Sequence, residues 1–409
     1  QKKVPLSLLI GLLSQNNNKM RFISFIPIAW CMLLGQPFFQ EKSIFSFQNK
    51  HVHGSSIIET PNGDLLACWF YGSGERTAND VLIQGSRLKK GGEIWESVFE
   101  MADTPGLPDC NPVLWVDKKN KLWLFWIAVR ANRWENSMLR YRTSTNYMKK
   151  GAPQWAWQDD IILKPGDTFA DAIQSGFDRY VDEPMWAEYA LPYAKLIVEA
   201  AKDPEKRQKG WMTRIHPISL NSGRILLPLY SDGYNVSIVA ISDNLGKNWK
   251  ASNPIVGLGP IQPTLIPKKD GSIVAYMRDS GLAPKRILKS ISKDSGETWS
   301  FATDTPIPNP SSSVEVLGLK NGHWIMACND TEEGRHQMAI LLSTDEGTSW
   351  LWKRYIGQAP KNSNISFSYP SLIQSSNGLI HISYSFKTDE GKTIQHSSFN
   401  EDWITVETR

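Results

Sequence analysis

Most of the side chains that could do chemistry in this chain recur at one place. Six similar stretches of sequence begin at Gly54, Asn111, His216, Gln262, Ser313 and Tyr369, and four of these residues precede a proline. If the six heads converge, they make a polar ring suited to a small polar ligand. Glu75 lies in a Gly-rich, charged loop (GSGERTAND), where a carboxylate could exchange protons or simply be solvated. The Tyr369 hydroxyl, with an ordinary pKa near ~10, is a poor nucleophile at neutral pH unless its surroundings activate it. His53, Arg214 and His216 are further polar groups for such a site, although a satisfied core histidine is the default for each His.

Convergence requires a repeated architecture, and the repeats are legible. The stretches are GSSIIETPNGDLLACWF (54–70), NPVLWVDKKNKLWLFW (111–126), HPISLNSGRILLPLY (216–230), QPTLIPKKDGSIVAYMR (262–278), SVEVLGLKNGHWIMACND (313–330) and YPSLIQSSNGLIHISYSF (369–386). Each reads as a short strand, a turn on Asn, Asp or Gly, and a second apolar strand. A second motif, Ser-x-Asp/Asn-x-Gly-x-x-Trp, follows in SDNLGKNW (242–249), SKDSGETW (292–299) and STDEGTSW (343–350). Its Ser and Asp or Asn side chains suit turn amides, its Gly a positive φ, and its Trp packs beneath the loop. SRLKKGGEIW (86–95) and the Trp155/Trp157 region read as decayed copies. Six such units predict an all-β, six-bladed β-propeller, the radial answer to exposed sheet edges. One long interval, about 165–210, is rich in helix formers and predicts a helical insertion between blades 2 and 3, packed over one face. The strand-like SIFSF (43–47) is expected to complete the last blade.

These motifs resemble the sialidase (neuraminidase) superfamily, propellers with BNR or Asp-box repeats, over nearly all of residues 43–403. The resemblance implies an exo-acting glycoside hydrolase on a terminal acidic sugar, with a Tyr nucleophile, an arginine cluster for the sugar carboxylate and an acid/base carboxylate. Residue by residue it places Tyr369 (SYPSLI) as nucleophile, Arg278 (AYMRDS) and Arg335 (EEGRHQMAI) in the arginine cluster, and Glu75 as acid/base. Two positions depart from the pattern: His53-Gly54-Ser55 stands where the family has Arg-Ile-Pro, and Gln262 where it has the Glu that activates the Tyr. Glu315 and Glu183 are candidates for a second carboxylate. A non-catalytic glycan-binding propeller is the alternative, and a protein-interaction scaffold a third reading. No metal or organic cofactor is implied.

Composition sets the remaining bounds. A formal charge of +4 with interspersed signs gives no basic stripe for nucleic acid. The 17 Trp fit repeated structural units, or flat sugar rings. Met20-Arg21 followed by the apolar run 22–35 reads as a signal peptide, so residues 1–40 are expected to be a leader and 41–409 an exported propeller. No later segment is apolar enough to cross a bilayer. Cys68, Cys110 and Cys328 lie in apolar runs and are expected to be buried free thiols, and no Cys/His cluster has zinc spacing.

Overall fold

The short strand–turn–strand units of the sequence pair as expected, because each turn carries the residue its backbone demands. In a computed structural model of the chain, describing residues 36–180, 190–281 and 283–406, the turn residues Gly63, Asn120, Gly223, Gly271, Gly322 and Gly378 all have positive φ. The leader stretch 22–35 and Glu183 lie outside the described residues. Strand β1 (Phe39–Ser43) comes first. Blade 1 follows with β2 (His51–Glu59), β3 (Leu65–Gly72), β4 (Leu82–Leu88) and β5 (Phe99–Ala102). Blade 2 holds β6 (Asp109–Val116), β7 (Leu122–Val129), β8 (Ser137–Ser144) and β9 (Trp157–Asp160). The insertion comes next, with helices α1 (Thr168–Phe177), α2 (Ala190–Lys202) and α3 (Pro204–Arg207). Blade 3 is β10 (Ile218–Ser219), β11 (Ile225–Ser231), β12 (Val236–Ser242) and β13 (Lys250–Ala251). Blade 4 is β14 (Pro260–Pro267), β15 (Ile273–Asp279), β16 (Arg286–Ser292) and β17 (Thr303–Pro308). Blade 5 is β18 (Glu315–Gly318), β19 (Trp324–Cys328), β20 (Gln337–Ser343) and β21 (Trp352–Gln358). Blade 6 is β22 (Ser366–Gln374), β23 (Ile380–Thr388) and β24 (Gly391–Phe399), completed by β1 in the order β1-β24-β23-β22.

The fold is therefore a six-bladed β-propeller of six four-stranded antiparallel sheets. The closing strand is Phe39–Ser43, a few residues before the expected 43–47, with Phe39 opposite Phe399 and Ser43 opposite Gln395. Pairing the first strand with the last removes the free edge where the ring joins. The helical insertion sits between blades 2 and 3 as expected. Its apolar face (Phe169, Ile173, Phe177) packs on Trp211, Tyr234 and Val256, at the flank of blade 3. No helix among the described residues is long and apolar enough to cross a membrane.

The core lies between blades. Strand β7 (LWLFWIAV) is buried at every position because both faces of its sheet are covered. Blade 3 residues Leu226, Val239 and Ile241 pack with Leu265, Ile273 and Ala275 of blade 4, and Tyr276 of blade 4 with Trp324 and Met326 of blade 5. Cys68, Cys110 and Cys328 are buried free thiols within these layers.

The Ser-x-Asp turns fasten one blade to the previous one. Ser343 Oγ accepts the Gly347 amide at 2.8 Å, and Asp345 Oδ1 accepts the Ser349 amide at 2.8 Å. Hydrogen bonds from the Ser349 amide and hydroxyl and from the Ser343 hydroxyl hold the Asp345 carboxyl down at about 2. The turn glycine then lies flush on the preceding blade: Gly246 on Trp123, Gly296 on Leu226, and Gly347 on Tyr276. Gly347→Ala would drive a methyl into the Tyr276 hydroxyl at a residue whose φ is +74°. A loss of roughly 2 to 3 kcal/mol is expected. Gly271→Ala is the comparison in urea unfolding, since φ there is +85° but nothing lies within 4 Å of the added carbon. Equal losses in the two variants would show that the interblade contact contributes nothing.

Candidate active site

The heads of the inner strands turn their side chains into the hub through one recurring device. Gly54, Asn111, Gln262 and Tyr369 all have positive φ, at 65°, 51°, 56° and 57°. At each of them the ladder to the next strand skips, between His53 and Ser56, Cys110 and Val113, Ile261 and Thr264, and Ser368 and Ser371. Three are followed by proline, which has no N–H to give the ladder, so the strand bulges there. A left-handed backbone is costly for a residue as large as Tyr, and it persists where surrounding structure enforces it at a functional position.

A cup results, centred on the Tyr369 phenol. Arg278 Nη1, at the end of β15, donates to Tyr369 Oη at 3.1 Å, and Gln262 Nε2 donates to the same oxygen at 3.4 Å. The guanidinium carbons of Arg214 and Arg335 lie 4.8 and 5.3 Å from the centre of the phenol ring. His53 meets that ring edge-on at 4.1 Å. Among the described residues neither Arg278 nor Arg335 has a carboxylate partner, and the Arg278 Nε is buried without a hydrogen bond. Arg335 gives Nη2 to the Ser311 carbonyl at 2.9 Å. Arg214 is buried and bonds the carbonyls of Ser55 and Pro370, so it forms the floor under the phenol.

The field of these cations sets the protonation states. Burial by itself would raise the Tyr369 hydroxyl, but Arg278, Arg335 and the Gln262 hydrogen bond outweigh it and hold the phenol below the usual tyrosine range. Burial, then Arg335, His51, Arg214 and Lys392, push His53 well below its ordinary value, leaving a neutral imidazole at neutral pH. Glu75 reaches the cup from the loop after β3 and pairs with His51 Nε2 at 3.1 Å. Burial opposes its ionisation, and the His51 pairing overcomes that and holds the carboxyl below its usual value.

Sequence reasoning thus named Tyr369, Arg278, Arg335, Arg214, His53, Gln262 and Glu75, which the fold brings together. It separates His216, whose Nδ1 lies 2.6 Å from Glu315 Oε1 while Nε2 faces Ser56 Oγ at 3.1 Å. Glu315 is buried and also accepts the Leu372 amide at 2.9 Å. This pair lines a cavity of about 750 Å³ at the other end of the inner strands, together with Ile58, Trp115 and Ile266. The register explains the separation: His216 and Glu315 each stand seven residues before their turn glycines, Gly223 and Gly322, whereas Gly54, Asn111, Gln262 and Tyr369 stand nine before Gly63, Asn120, Gly271 and Gly378, so this pair lies two residues further along the inner strands.

Three cup residues were missed. Tyr230 Oη accepts from Asn111 Nδ2 at 3.0 Å and from Gln262 Nε2 at 3.3 Å, joining three blades. Asp232, on the next turn, has its carboxyl raised by burial against the pull of Arg278 and Arg76. His51 holds Glu75 and faces Lys392 Nζ at 3.2 Å. A signal for Tyr230 existed: it stands seven residues after its turn glycine, Gly223, as Arg278 does after Gly271.

The family described as BNR repeat-like domain matches residues 63–173 and 209–382, which is most of the chain. The chain belongs to that family. This BNR propeller is 30% identical over 139 residues to an anhydrosialidase of Macrobdella decora, a match spanning 27% of the chain and 18% of that relative's length. Among solved structures it is similar to a Hadza microbial sialidase, at 14% identity with a TM-score of 0.65, covering 90% of this chain and 69% of that one. It is as similar to a leech intramolecular trans-sialidase complexed with 2,7-anhydro-Neu5Ac, again at 14% identity and TM-score 0.65, covering 90% and 71%. An intramolecular trans-sialidase from Ruminococcus gnavus aligns at 13% identity and TM-score 0.63, covering 88% and 97%. The likeness to these structures shows that the BNR propeller shares their fold.

Proposed function

We propose that this protein is an exo-acting glycoside hydrolase of sialidase type that removes a terminal acidic sugar. The carrying observation is the pair of guanidinium groups, Arg278 and Arg335, that flank one phenol and have no carboxylate partner of their own among the described residues. Cations left unpaired in a concave site await an anion, and a sugar carboxylate matches their forks. With the anion held there, Tyr369 Oη attacks the anomeric carbon while the exocyclic carbon–oxygen bond breaks, and Glu75 gives the departing oxygen its proton. A water then attacks the same carbon and releases Tyr369, its proton passing back to Glu75. Because pairing with His51 favours the Glu75 carboxylate, His51 has to share the proton that Glu75 delivers.

Release of free sugar from sialylated and uronic-acid glycans tests the reading. The wild type is expected to release sugar from at least one class, and Glu75→Gln to lose about 100-fold or more of the rate. Tight binding of the same glycans without any turnover would identify a glycan-binding propeller instead.

A further inference from the structure

The oxygen of Tyr369 is surrounded by donors. Two N–H groups point at it, from Arg278 at 3.1 Å and Gln262 at 3.4 Å. Two further guanidinium groups, on Arg214 and Arg335, lie against the ring. A neutral phenol needs one acceptor for its own proton, whereas a phenolate needs none and accepts several donors. The charged or titratable groups around the ring can be named by element: Arg278 on β15, Arg335 between β19 and β20, Arg214 before β10, His53 on β2, Tyr230 on β11, Asp232 on the turn after β11, and Glu75 on the loop after β3. Asp232 and Glu75 are the carboxyls of that set, and Glu75 Oε1 is bonded to His51 Nε2 at 3.1 Å.

Gln262 is the informative member. It is buried in the floor of the cup with Nε2 shared between the two phenols and Oε1 left without a partner. An amide has no proton affinity near neutral pH, so it cannot act as a base. What it can do is present either end to Tyr369: the oxygen to a phenol, the nitrogen to a phenolate. Leaving Oε1 unpartnered in a buried site costs free energy, and the nitrogen-inward orientation is favoured when it stabilises a charge.

We propose that Tyr369 is activated by its shell of cations and amide donors, with no carboxylate base, and that Gln262 is a positioning residue that stabilises the phenolate oxygen. The proton leaves to solvent, since Tyr369, Arg278 and Arg335 are each only partly buried, and no oxidant or cofactor is involved. This rests on Tyr369 being the reacting group of the proposed hydrolase, but its test does not depend on turnover.

The experiment is a pH titration of phenolate absorbance on the full chain, with the Tyr369→Phe spectrum subtracted to isolate one of the 12 tyrosines. The isolated phenol is expected to ionise at lower pH than the remaining tyrosines. Gln262→Glu, which puts a negative oxygen beside Oη, is expected to move the midpoint up by about one pH unit or more. Arg278→Gln, folded independently of the Gln262 change, is expected to move it in the same direction. A wild-type midpoint at or above that of the other tyrosines would overturn the proposal. So would a Gln262→Glu midpoint that stays put or falls. A low midpoint in a protein that releases no sugar would uphold the phenolate and sink only the hydrolase.

Discussion

Tyr369→Phe is expected to reduce release of the acidic sugar by about 1,000-fold or more while leaving glycan binding within a few-fold of wild type. The substitution removes one oxygen and keeps the ring, so Arg214 and Arg335 retain the surface they lie against. The left-handed backbone at 369 is unchanged, because Phe and Tyr meet the same steric limits. Only the nucleophile and the acceptor for Arg278 and Gln262 are lost. Rate constants together with a binding measurement, such as tryptophan fluorescence quenching, would check it. Turnover retained to within about ten-fold would mean that the phenol shapes the cup without entering the reaction.

Arg278→Ala carries the second large effect. The side chain is partly buried, has a buried Nε with no partner, and is the closest cation to the Tyr369 oxygen. Removing it is expected to weaken binding of an acidic sugar by roughly 10- to 100-fold, the value of a charge-assisted hydrogen bond in a confined site. Arg278→Lys is expected to recover little of this, since an ammonium cannot offer two parallel N–H bonds to a carboxylate and reach the phenol as well. A neutral sugar of the same size supplies the control: equal losses for neutral and acidic ligands would point to a collapsed cup rather than a lost anion site.

The two absent family residues have a common physical consequence. With His53 held neutral and Gln262 unable to ionise, the cup has no carboxylate hydrogen-bonded to the phenol and one less fixed cation for the substrate. The phenol is still held below the usual tyrosine range, because Arg278 donates to its oxygen, Arg335 lies against its ring and the Glu75 carboxylate is paired with His51. Activation by surrounding cations and activation by a neighbouring base lead to the same charged oxygen, and they differ in how the rate responds to pH.

The linear order of residues determined the blade count, the Ser-x-Asp turns, the position of the helical insertion and four of the six strand heads, because each depends on local rules. A glycine in a turn, a proline that breaks a ladder and a two-residue alternation act within a few bonds of themselves. The same rules placed Tyr369 and Gln262 at bulged strand heads, and the spacing from turn to strand end could have placed Tyr230 beside Arg278. Only the closed ring decided that His216 and Glu315 face each other low in the hub, that Glu75 is tied to His51, and that Asp232 and Tyr230 share the cup with Arg278. Those relations depend on where strands from different blades start along the common axis. That offset is set by packing between sheets distant in sequence, such as Gly347 against Tyr276, and no local pattern encodes it.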